Sequence, residues 1–287
     1  MNFQNPYWAR KRVLELNPEI HAQEITHLSF EVRYASPIFT HSLFSIAFAR
    51  QAAVPSIAKI LYRDGKGEII RNTRKRNNDT LLFFGEFFKN GISPHGKEII
   101  AKLNKIHSHF PITNEQNIFT LGTLMCEPKR MSFFLTGRNV FNEKENRAVF
   151  NFWKMIGEEM LIKDIPEDED KMYESYIHFA EKKFEFSEDG RAIVEALADE
   201  FAERWYPKWM KDFGRAVYFS LFDDFMLQTF RIKKLNVLIR FSVLFYLRFF
   251  LTVWVKIMPD PSDRSIIEIF SKDYESYNIG RVGPELK

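Results

Sequence analysis

Apolar residues recur at intervals of three and four along most of the chain, while strand-like alternation is scarce, so the pattern predicts an all-α protein. The helix punctuation agrees. Ser36-Pro37 offers an N-cap and a first-turn proline for a helix reaching about Gln51, with Phe39, Leu43, Ile46 and Ala47 on one side, before Pro55 breaks it. Residues 62–75 hold Asp64-Gly65 and Gly67 among charges and read as a loop or a small hairpin. An apolar helix over 79–89 stops at Asn90-Gly91, and another spans 94–110. Thr113 with Gln116 and Asn142 with Glu145 form capping-box patterns. The first of these helices is expected to end before Pro128, and the second carries Val149, Phe152, Trp153, Ile156 and Met160 as one stripe. An acidic loop over 164–171 follows. Ser187 then caps a helix with Val194, Leu197, Phe201 and Trp205 on one face, ahead of Pro207.

The final apolar element, 235–258, is interrupted by Arg240, Arg248 and Lys256. A guanidinium near the centre of a bilayer costs roughly 2.5–3.5 kcal/mol, which argues against a plain transmembrane span. A core helix with a polar edge is the favoured expectation. The alternative is an interfacial helix, its basic side toward headgroups and Phe245, Phe249 and Trp254 toward lipid.

Composition sharpens this picture in three places. With 287 residues and neither repeats nor a linker, the chain is expected to form one large helical domain, 172–287 packing on the part before it. Thirty Phe against 12 Gly and 12 Pro give an interior suited to a flat or greasy ligand, though an aromatic-rich core explains them as well. The net charge of +3 is too balanced for nucleic acid binding by a bulk field, the densest basic run being Arg71, Arg74, Lys75 and Arg76. A single cysteine, Cys126, rules out an intrachain disulfide and a Cys-based zinc site. The start, Met1-Asn2-Phe3-Gln4-Asn5-Pro6, lacks the apolar run of a secretory signal, so a cytoplasmic location is expected, with peripheral membrane contact through 235–258 as an addition.

Chemistry concentrates in two places. Ile100 and Leu103 precede His107 by seven and four residues, which puts that imidazole on a buried stripe while Lys102 and Lys105 point elsewhere. A buried neutral imidazole needs a hydrogen-bond partner or a metal, and a satisfied core histidine is the plain alternative to a ligand. His109, two residues on, falls on the solvated side. The second place is Arg76-Asn77-Asn78-Asp79-Thr80. If the helix includes Arg76, then Arg76, Thr80, Phe83 and Phe87 share one face, cationic at the top and aromatic below; otherwise Asp79 is an N-cap and Arg76 is solvated. No dense His/Asp/Glu box is visible, so a metal hydrolase is disfavoured.

The order Arg76-x-x-Asp79-Thr80, Leu103-Asn104-Lys105-Ile106-His107, Cys126-Glu127-Pro128 and Phe152-Trp153 resembles the mpaB and latex-clearing (rubber) oxygenase family. The resemblance covers roughly residues 20–166 and continues weakly to Tyr277 and Gly283-Pro284. It implies a globin-like helical core around one b-type haem, and cleavage of isoprenoid double bonds with dioxygen. His107 would then be the iron ligand, with Arg76 and Thr80 on the oxygen side, and Phe83, Phe84, Phe110 and Trp153 lining a pocket for a lipophilic alkene or isoprenoid. One departure stands out: Asp79 occupies the place of the distal lysine of rubber-cleaving members, and a carboxylate cannot serve as a neutral amine ligand. No glutamate here matches the family's proposed base. The rival expectation is a non-catalytic haem- or lipid-binding, membrane-surface protein on the same scaffold.

Overall fold

The structure is a computed structural model describing residues 5–34, 36–233 and 235–283; Pro284 and the first four residues of the N-terminal run lie outside the described residues. Among the described residues every regular element is a helix. The all-α expectation is met. The Pro37–Ala52 helix packs on both the Asn114–Thr136 and the Glu188–Trp205 helices. Thr73–Asn90 packs on Pro94–His107, and Glu143–Glu159 lies against Asn114–Thr136 and Pro94–His107. Lys211–Ser220 lies on Glu188–Trp205 and carries Val237–Phe249 outside it. One hydrophobic cluster runs through these layers from Ala9 to Val282. Its largest fully buried members include Phe87, Phe119, Phe152 and Phe201, each contributing on the order of 1.5–3 kcal/mol by leaving water.

Local capping chemistry works as expected. Ser36 Oγ accepts from Phe39 N, and Ser187 Oγ from Gly190 N. The Thr113–Gln116 and Asn142–Glu145 boxes are both reciprocal. The acidic stretch is only partly loop, because Asp168 accepts from Lys171 N at 2.9 Å and opens the Glu169–Lys183 helix. Residues 62–75 form no hairpin. Arg63, Asp64 and Gly65 turn in the left-handed region, and Glu68–Arg71 is a short helix.

Three expectations are corrected. The helix predicted to begin at Asp79 begins at Thr73, capped by Asn72 Oδ1 on Lys75 N, so Asp79 is not an N-cap and Arg76 lies within the helix. The helix predicted to stop before Pro128 runs through it to Thr136. Losing one helical bond and accommodating the ring costs about 3 kcal/mol in an isolated helix. Here the turn is held from outside: Glu127, next to the proline, is gripped by Arg50 Nε at 2.9 Å and Arg130 Nε at 2.7 Å. Finally, Val237–Ile257 is not a core helix; only 6% of its most apolar window is buried. Leu251 and Val255 point inward, whereas Leu238, Phe241, Phe245 and Tyr246 are exposed. The cause is location: nothing described packs outside this outermost layer.

Candidate functional site

Between the Pro37–Ala52, Thr73–Asn90, Pro94–His107, Asn114–Thr136 and Glu143–Glu159 helices lies a chamber with about 1590 Å³ of empty space, part of it open to solvent. Its cavity proper is about 240 Å³, close to the lower end of ligand pockets at about 300–1,000 Å³. Arg76, Asp79, Thr80, Phe83, Phe84, His107, Phe110 and Trp153 all line it. Helical pitch explains part of this convergence, since Arg76, Thr80, Phe83 and Phe87 do share one face once the helix starts at Thr73.

His107 ends its helix half-buried, with its exposed surface toward the chamber. Burial, with the Arg76 guanidinium adding to it, pushes its imidazole down to about 4, so it is neutral at physiological pH. Among the described residues neither ring nitrogen has a hydrogen-bond partner. His109, by contrast, is exposed and held to Lys105 O at 2.7 Å.

Arg76 contacts Thr80 Oγ1 through Nη1, and its guanidinium lies 5.5 Å from the Phe48 ring centre. Burial lowers its pKa, and among the described residues no carboxylate pairs with it. Unpaired desolvated cations are costly, so this one favours an anionic partner in the chamber. Asp79 is the reverse case. Its oxygens accept from Lys75 Nζ at 2.7 Å, Tyr274 Oη at 2.5 Å and Gly283 N at 3.2 Å. The anion expected on the distal side is thus already neutralised and spent on holding the C-terminal tail.

That tail was missed apart from Tyr277 and Gly283. Lys102 Nζ donates to Ile279 O and Val282 O, Tyr277 Oη donates to Glu86 Oε1, and Gly283 closes one wall of the chamber at φ +106°. A Cβ at Gly283 would meet Ile106 Cδ1 at 3.0 Å. Lys102, expected to point away from the His107 stripe, clamps the tail. Phe44 and Phe48, from the Pro37–Ala52 helix, were also missed as lining residues. Phe84 and Trp153 meet edge-on at 5.4 Å, and Phe44 meets Phe84 at 6.0 Å. Cys126, Glu127 and Phe152 of the recognised motifs do not line the chamber. Among the described residues no three His, Cys, Asp or Glu side chains form a metal cage.

Neither a scan against protein-family models nor a search of curated proteins finds a match for this chain.

Proposed function

We propose that the chamber holds one b-type haem with His107 as the iron ligand, and that the protein is an oxygenase acting with dioxygen on a lipophilic alkene or isoprenoid. The observation that carries this reading is the neutral His107 imidazole, presented to a large apolar space with both ring nitrogens unpartnered. That is the protonation state a metal requires. The apolar lining and the Arg76 guanidinium, which has no carboxylate within ion-pair distance, suit an apolar group that carries carboxylates. Bound haem would supply dioxygen activation. The protein's own residues then orient and exclude: Arg76 offers charge-assisted hydrogen bonds to an anionic group, and Thr80 fixes the guanidinium. Phe84, Phe110 and Trp153 keep water from the apolar substrate. Asp79, neutralised by Lys75 and Tyr274, holds the tail over the chamber and takes no part as a ligand. The globin-like arrangement and the cytoplasmic location implied at the outset belong to this same reading.

The decisive measurement is the absorption spectrum of the purified protein. A Soret band is expected in the wild type and absent from His107→Ala; normal haem content in that variant would end the assignment. Oxygen uptake across isoprenoid and fatty substrates then tests catalysis. A second reading, a non-catalytic lipid binder on a membrane surface, is favoured by the exposed Val237–Ile257 helix, and it predicts lipid binding without oxygen consumption.

A further inference from the structure

The chamber is not isolated. A second, smaller cavity, of about 80 Å³, shares Phe44, Ala47, Phe84, Leu124 and Trp153 with it. A third, of about 30 Å³, shares Phe39, Leu43 and Pro128 with the second and is also lined by Leu247 and Leu251. Those two leucines belong to the exposed apolar helix. The three spaces therefore lie in series, lined mainly by apolar side chains, from His107 to the outermost helix. We infer that this is a corridor by which a lipid-dissolved substrate passes from an anionic phospholipid bilayer, on which Val237–Ile257 rests, into the chamber.

The outer end selects the bilayer as partner. Its 21-residue run has a mean hydropathy of 1.7, yet Phe241, Phe245, Tyr246 and Trp254 are exposed. A water-facing surface gains nothing from such a row of aromatics, whereas a headgroup boundary does. Charge makes the choice more specific. No acidic residue occurs from Val237 to Met258, and while Arg240 is paired with Asp224 at 3.0 Å, Arg248 and Lys256 are exposed. Cations at the edge of an apolar face favour anionic headgroups.

The corridor walls suit passage of a flexible chain. Phe39 and Leu43 line both spaces at the outer junction, Phe44 and Phe84 both at the inner one. Pro128 lines both outer spaces, and its missing N–H leaves the Leu124 carbonyl without its helical donor at the same wall. A greasy substrate entering here never crosses water, which would oppose every methylene transferred.

This inference rests on the chamber being the reaction site, but its test does not involve iron. Vesicles of phosphatidylcholine and phosphatidylglycerol in equal parts, loaded with the fluorescent polyene cis-parinaric acid, are mixed with the full chain, and binding and probe uptake are followed separately. Leu43→Trp should leave vesicle sedimentation unchanged and slow uptake from vesicles about tenfold or more, while Leu43→Ala, which widens the same junction, should speed it about threefold. The pair Phe241→Asp and Phe245→Asp should abolish sedimentation and slow uptake from vesicles, yet leave uptake from a cyclodextrin carrier at the wild-type rate. Wild-type uptake rates in both Leu43 variants, or retained vesicle binding in the aspartate pair, would overturn the corridor. His107→Ala should keep wild-type uptake even as it loses any Soret band, so failure of the cofactor reading and failure of the corridor register in different signals.

Discussion

Around Glu127 each buried charge has a counter-ion within reach, whereas His107 and Arg76 line the chamber with no carboxylate at ion-pair distance. Glu127 is held by Arg50 and Arg130, Arg130 also reaches Asp223 at 2.5 Å, and Tyr176 donates to Glu127 from the other side. Burial alone would raise the Glu127 carboxyl, but the two guanidiniums outweigh it and hold it below its ordinary range. His41 likewise has a counter-charge close by. Wholly buried, it accepts from Trp205 Nε1 at 3.1 Å and turns Nε2 to within 3.0 Å of Glu200, off the ideal hydrogen-bond angle. His107 and Arg76 are half-buried and share its depressed pKa but have no carboxylate so close. The difference teaches how to separate structural from functional polarity in a core. A satisfied group specifies packing, while an unsatisfied one aimed into a cavity is waiting for a ligand.

The contrast breaks most easily at Glu127. Glu127→Ala leaves Arg50 and Arg130 with Asp223 alone and should cost about 3–5 kcal/mol in denaturant unfolding; a loss under about 1 kcal/mol would mean that Glu127 is not what balances the two guanidiniums. Next in size is the histidine pair. His41→Ala should cost about 2–4 kcal/mol through a cavity and a weakened Glu200, while His107→Ala in the cofactor-free protein stays within about 1 kcal/mol of wild type. Equal losses would erase the distinction. Arg76→Met is expected to be neutral or to stabilise by up to about 1 kcal/mol, since it removes a desolvated cation that no carboxylate pairs directly, whereas Arg50→Met should destabilise.

The contrast also extends to pH dependence. An unfolded imidazole titrates near 6.5 and His107 folded at about 4, so the stability tied to its neutral form is complete above 6.5 and is lost as pH falls toward 4. His107→Ala should therefore lose less stability on acidification than wild type. His27 has the opposite sign: burial opposes its charge, but Glu31 and Asp263 outweigh that and raise it. Its contribution is present below 6.5 and disappears as pH rises through the raised value, so His27→Ala should flatten the slope on the alkaline side. Matching slopes in the two variants, measured by unfolding across pH, would remove the sign difference.

Much of the fold was legible because caps are local. Ser36, Thr113, Asn142 and Ser187 each act within three residues of themselves, so their helices could be placed from the chain alone. Asp79 misled because a short-range N-cap rule competed with long-range partners, Tyr274 and Gly283, that lie almost 200 positions away. Pro128 misled because a breaker was overridden by packing and by ion pairs from Arg50. The chamber residues were recovered as types and positions, but nothing in their spacing indicated that Phe44 and Phe48 would join them, or that Lys102 would turn to clamp the tail.

By itself the amino-acid sequence determined the helical elements, the aromatic interior and the presence of one histidine on an apolar stripe, since periodicity and capping operate over a turn or two. Only the tertiary structure decided which polar groups found partners and which did not. Satisfaction depends on groups brought together from distant parts of the chain, and the same is true of which apolar helix ends up with nothing to cover it.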